Sequence, residues 1–247
     1  MNTKSPRQVV ADLQAHPELA TGSDERFAGY GVMGMPFATG HYLALRDMVA
    51  SSIGPSFRSV WHRDPEGQWT FHTTIDPERS CPRYFGSDGA VKRVGQITLD
   101  WADDWTLEVG VDDALRWRIE LGASPATRMM TSMGAALPSG AWNSTAVLGS
   151  MGPMARAVLR SGRIRLCGET PNGPRYRAAP LHVWRVTNSR AHDRTETFGA
   201  PAPLDVPIRL GDFWLPQRGL FFVGRARFTQ ADAVAGREPT ERAAVRG

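Results

Sequence analysis

Short alternating segments joined by tight turns constrain this chain more than any other feature. The clearest covers residues 106–121. Leu107, Val109 and Val111 alternate with Glu108 and Gly110, while Leu115, Trp117, Ile119 and Leu121 alternate with Arg116, Arg118 and Glu120. With 112–114 as the loop, Val109 is set against Trp117 and Glu108 against Arg118. A period of two on both arms, with one apolar and one charged face, describes an antiparallel hairpin wetted on one side.

Further hairpins are predicted along the chain. Residues 59–74 turn at Asp-Pro-Glu-Gly, with Asp, Pro and Gly at the positions a type I turn favours. The expected register sets His62 against Trp69 and Val60 against Phe71, with Ser59, Trp61, Thr70 and His72 on the other face. Residues 164–186 turn at Asn172-Gly173, which sets Glu169 against Tyr176. Residues 213–228 turn at 216–219, and single strands are expected over 41–48 and 94–101. Eight to ten such strands predict a mainly β fold, an antiparallel β-barrel or sandwich.

Two segments depart from this pattern. Ser5, Pro6, Val9, Val10 and Leu13 predict a short capped N-terminal helix. Residues 125–161 are rich in Met, Ala, Ser and Gly, with helically spaced methionines, and Pro138, Gly140 and Pro153 are expected to cut them into two or three helices. Such a Met-rich insertion either packs on the sheet as core, the commoner use of this pattern, or forms a lid over an apolar site. The expected organisation is an N-terminal helix and connection over 1–26, one β-rich domain over 27–229, and a flexible tail over 230–247.

Composition narrows the function classes. The 247 residues are 41% hydrophobic and 22% charged, enough to build a core. Mean hydropathy is −0.33, and neither an apolar membrane span nor a secretory leader is expected. That predicts a cytoplasmic protein. The net charge of +4 comes almost wholly from arginine, without a basic run, so no nucleic-acid partner is expected. Two cysteines and no paired-histidine spacing offer no zinc site, and the glycines of 27–40 lack dinucleotide-binding spacing. No metal and no cofactor are implied.

His62 is the leading catalytic candidate, because an imidazole on an apolar face has its pKa and tautomer set by its surroundings and suits general acid/base work. The alternative is a histidine hydrogen-bonded within the core. His41, alternating with Leu43 and Leu45, is a second candidate, and Glu169 beside the Tyr176 phenol a third. Trp69, Phe71, Met130, Met133, Met151 and Tyr176 are candidate ligand-binding residues, together with Arg83 and Tyr84 in the loop 80–86. Cys81, in the same loop, has no evident base to make it a nucleophile. Arginine recurs as Arg-x-Arg at 116/118, 163/165, 175/177 and 225/227. On strands this spacing puts both guanidiniums on one face, either an ordinary solvated face or a wall for an anionic partner.

The segments WHRDPEGQWTF, WTLEVGVDDALRWRIEL and GLFFVGRARF, within residues 30–228, give the chain an architecture that resembles the lipocalin-like β-barrel proteins that include the carotenoid hydratases (hydroxyneurosporene synthases). The resemblance implies an apolar cavity and cofactor-independent acid/base chemistry, such as hydration, isomerisation or cyclisation of a hydrophobic small molecule. It assigns no catalytic residue. A non-catalytic carrier for such a ligand, and an interaction module using the arginine-rich sheet face, are the alternatives. Enzyme and carrier differ in whether two ionisable side chains converge in the cavity.

Overall fold

The computed structural model describes residues 4–230; the tail expected over 230–247 lies outside them but for Gln230. Ser5 caps α1 (Pro6–Ala15) through a capping box with Gln8, and Val9 and Val10 bury its apolar stripe. There follow β1 (Glu25–Val32), β2 (Met35–Pro36), β3 (Tyr42–Ser51), β4 (Phe57–Arg63) and β5 (Trp69–Thr73). Next come α2 (Pro82–Phe85), β6 (Gly89–Arg93), β7 (Ile97–Trp101), β8 (Thr106–Val111) and β9 (Leu115–Gly122). The insertion is helical as expected: α3 (Pro125–Ala136), a 3₁₀ turn (Ser139–Asn143) and α4 (Thr145–Leu159). Pro153 lies inside α4 rather than ending it. The chain closes with β10 (Cys167–Glu169), β11 (Arg175–Asp193), β12 (Arg209–Leu210), β13 (Phe213–Trp214) and β14 (Leu220–Thr229). Among the described residues no helix is long and apolar enough to cross a membrane.

The fold is mainly β, but the sheet is not the closed antiparallel barrel, nor the sandwich, of the sequence expectation. One sheet runs in the order β6-β5-β4-β3-β1-β14-β11-β9-β8-β7, with β2 beside β3 and β10 beside β11. It is mixed, because β5 and β6 pair in parallel. The sheet curls until β7 returns towards β4, where Arg58 Nη1 donates to the Ile97 carbonyl at 2.7 Å, without a closing ladder. The hairpin expected over 213–228 does not form: β13 pairs with β12, while β14 pairs with β1 and β11.

Both faces of the sheet are buried. Leu43, Leu45, Val60, Ile97, Val109, Trp117 and Ile119 pack within the curl, closed by α1. On the other face Tyr42, Ala44, Trp61, Phe71, Tyr84 and Phe85 pack with the helical insertion and β13. The insertion is therefore core: Met130 and Met151 are buried in this second cluster. Trp69 and Phe71 belong to it too, their rings stacked at 5.9 Å.

The hairpin over 106–121 has the predicted register, with Val109 opposite Trp117 and Glu108 opposite Arg118. Two others are displaced by one residue. Trp61, not Val60, faces Phe71, and Arg63, not His62, faces Trp69. Likewise Glu169 faces Arg175, and Tyr176 faces Gly168. The cause is shared. Gly67 donates to Asp64 and Gly173 to Thr170, and both glycines have positive φ, +94° and +100°. A type I turn followed by a positive-φ residue is the three-residue loop with a G1 bulge, which adds one residue to the connection. A one-residue slip moves every side chain to the opposite face.

Gly173 isolates this backbone requirement, since nothing lies within 4 Å of where its Cβ would sit. Gly173→Ala is expected to lower unfolding free energy by about 1–2 kcal/mol through backbone strain alone, a drop of roughly 2–8 °C in melting temperature. Calorimetry of the variant with no loss of stability would show that the loop is built otherwise.

Candidate functional site

Because β3 is buried on both sides, both charged residues in its apolar run are buried; Asp47 has Arg58 beside it at 3.3 Å, whereas Arg46 has no carboxylate partner among the described residues. Arg46 is 5% exposed and stands at the wall of a cavity of about 70 Å³. Phe27, Met48, Phe57, Trp61, Phe85 and Phe213 supply most of the apolar lining, with Cys81, Tyr84 and Tyr176. The guanidinium lies 4.8 Å from the Trp61 ring centroid and 5.3 Å from that of Phe222, a favourable arrangement for a cation over an aromatic face.

The bonds of Arg46 are all to main-chain carbonyls: Nη1 donates to Val32 at 2.6 Å and Leu45 at 2.8 Å, and Nη2 to Met33 at 3.3 Å. Arginine has five N–H donors, so Nε–H and one Nη2–H are not spent on these bonds. Among the described residues no carboxylate lies within 4 Å of it. Burial pulls its pKa down to about 10, opposed by Cys81 and Tyr42, so it remains a cation at neutral pH. Burial likewise pushes the Cys81 thiol up to about 11, which keeps it protonated and a poor nucleophile.

Of the candidate ligand-binding residues, Tyr84 and Tyr176 reach this cavity. Tyr176 is fixed by its single hydroxyl hydrogen, shared between the Arg165 carbonyl at 3.2 Å and the Asp212 carbonyl at 3.1 Å, and Tyr84 by donating to Glu25. Arg83 lies outside the lining and grips Glu25 with Nε at 3.1 Å and Nη2 at 2.7 Å. Burial opposes ionisation of Glu25, but the Arg83 and Tyr84 hydrogen bonds outweigh it and hold the carboxyl below its usual range. The segment carrying these residues is a short helical turn, not a loop. Trp69 and Phe71 back the Trp61 wall without lining the cavity. Met130, Met133 and Met151 do not line it either.

The histidines assemble on the other face of the sheet. His41 Nδ1 lies 2.9 Å from His62 Nε2, and His41 Nε2 lies 3.1 Å from Glu196 Oε1. The Phe198 ring stacks on His41 with centroids 3.8 Å apart. If Glu196 holds the His41 proton at Nε2, His41 Nδ1 accepts from His62 Nε2–H, leaving His62 Nδ1 as a free base. Burial, and then His41, lower the His62 pKa to about 4, and burial followed by His62 does the same to His72. The displaced register puts His72 on the His62 face, and its Nδ1 is buried without a partner. Glu169 is exposed on β10 and bonds neither histidine.

Sequence reasoning thus picked out His41 and His62 as separate candidates, without placing their strands side by side, and missed Glu196, which lies 155 positions from His41. It passed over Arg46 as well. The available signal was a charged pair, Arg46-Asp47, within an otherwise apolar strand.

No protein-family model matches this chain, and no curated protein does. Among solved structures, the acetoacetate decarboxylase of Legionella pneumophila is similar at 8% identity, over 86% of this chain and 87% of that chain, with a TM-score of 0.38. None of these comparisons shows a relation to the carotenoid hydratases.

Proposed function

We propose that the cavity around Arg46 binds a small, largely apolar molecule ending in a carboxylate. One observation carries this reading: a buried arginine with no carboxylate partner and two unspent N–H groups lines an apolar cavity. Burying a cation without a counter-charge is costly, and a planar two-donor fork matches a carboxylate. A volume near 70 Å³ holds roughly five to seven non-hydrogen atoms at one water-sized sphere per atom. Short-chain and branched acids fit this space, whereas a polyene of carotenoid length does not.

Cofactor-independent acid/base catalysis is the second reading, and the Glu196–His41–His62 chain favours it. In it His62 takes a proton through Nδ1, and His41 with Glu196 holds its tautomer. Neither histidine lines the Arg46 cavity, so His62 would serve a molecule approaching its half-buried ring and not the carboxylate bound on the far face.

Titration calorimetry with acetate, butyrate, 2-methylbutyrate and decanoate, alongside the matching alcohols, tests the binding reading. Butyrate and 2-methylbutyrate are expected to bind, with the alcohols weaker by at least tenfold and decanoate excluded. Alcohols binding as tightly as acids, or no acid binding at all, would overturn it.

A further inference from the structure

A cluster of four arginines stands on the sheet at the ends of β1, β14 and β11. Arg26, Arg227 and Arg177 are directly opposite one another across these three strands. Side chains at such positions share a face, where like charges repel. Arg225, two residues along β14, is on the same face, opposite Ala28 and Ala179. All four are partly buried, so solvent screens them poorly.

Little within the protein offsets this charge. Asp24 approaches Arg227 at 3.8 Å, and Arg26 Nη1 donates to the Ala20 carbonyl at 3.2 Å. The Arg26 Nε is buried with no partner. Among the described residues, the guanidiniums of Arg177 and Arg225 have neither a hydrogen-bond nor an ion-pair partner. Trp142 and Asn143, from the 3₁₀ turn between α3 and α4, line a cavity of about 50 Å³ together with Arg177, Arg225 and Arg227. That is room for roughly four or five non-hydrogen atoms, the size of a tetrahedral oxyanion.

We propose that Arg177, Arg225 and Arg227 form a binding site for the phosphate group of a small phosphomonoester. Three guanidiniums around one small cavity suit a doubly charged group with three free oxygens, each able to accept a forked pair of N–H bonds. With Asp24 already beside Arg227, a doubly charged phosphate balances the site, whereas a carboxylate would leave one cation unmatched. The site is independent of the Arg46 cavity, although Ala179 and Arg225 form a wall common to both.

Inorganic phosphate and phenyl phosphate are the probes, followed by calorimetry and by melting temperature against sodium chloride at matched ionic strength. Arg177→Gln and Arg227→Gln avoid the shared wall, and Arg194→Gln, whose exposed side chain bonds the Asp113 carbonyl, is the control. Phosphate is expected to raise the wild-type melting temperature beyond chloride. Each ladder variant should lose at least tenfold in phosphate affinity while staying folded in chloride, where relief of repulsion helps it, and the control should bind as wild type. Arg177→Lys, which keeps the charge without the fork, should fall between. Equal stabilisation by chloride, or phosphate affinity unchanged in Arg177→Gln, would overturn the assignment.

Discussion

Replacing Arg46 by methionine is expected to leave a folded protein whose affinity for butyrate is at least a hundredfold weaker. Two unspent N–H groups are available to the ligand, and hydrogen bonds to charged groups contribute about 1.5–3 kcal/mol each. Their joint loss therefore exceeds the roughly 2.8 kcal/mol that a hundredfold change represents. Stability responds differently. The variant leaves the Val32, Leu45 and Met33 carbonyls without the guanidinium, but it also removes a buried cation with no carboxylate beside it. Buried charges replaced by apolar side chains of similar length are often neutral to stability, so unfolding free energy is expected to stay within about 2 kcal/mol of wild type. Arg46→Lys keeps the charge but loses the fork, and should retain measurable binding. Unaltered butyrate affinity in Arg46→Met would remove the basis for the carboxylate assignment.

Acid should destabilise the fold through the histidines well before most carboxylates titrate. The native state holds His62 and His72 near pKa 4, against about 6.5 in an unfolded chain. The unfolded state therefore binds more protons between these values. The contribution is intact above about pH 6.5 and is lost progressively as pH falls towards 4. Each ring alone would account for about 3 kcal/mol at full protonation, and their mutual repulsion makes the pair worth less than twice that. Urea unfolding of wild type and of a His62→Gln, His72→Phe double variant, at pH 7.5, 5.5 and 4.5, isolates the effect from other acids. The variant should gain on wild type steadily as pH falls. A constant difference between the two proteins would mean that the rings are not held neutral.

The strands were legible wherever alternation was clean and the loop had one reading. Residues 106–121 met both conditions, and even the Glu108–Arg118 pair was right. The helical insertion was visible in its methionines and its lack of β-branched residues. Turn residues alone did not fix register at Gly67 and Gly173, because whether glycine closes a two-residue turn or follows a type I turn depends on backbone angles. That single ambiguity misplaced Trp61, His72 and Tyr176. The long-range elements were harder still. β14 joins β1 and β11 from the far end of the chain, and no local pattern predicts such pairings. Arg46 stayed hidden because a charged residue in a strand reads as solvent-facing unless both faces are known to be covered.

β3 and β4 have an evolutionary consequence. Along them, and at His41 just before β3, alternate positions serve separate compartments: Tyr42, Ala44, Arg46 and Trp61 lie towards one, His41, Leu43, Leu45 and His62 towards the other. Substitutions can therefore retune either compartment while sparing its neighbour. A single inserted or deleted codon within these strands would instead transpose the two sets, sending imidazoles into the aromatic chamber and the guanidinium into the curl. Length variation among descendants of this gene should accordingly fall in the connections at 52–56 and 64–68, with the strands themselves drifting only by replacement.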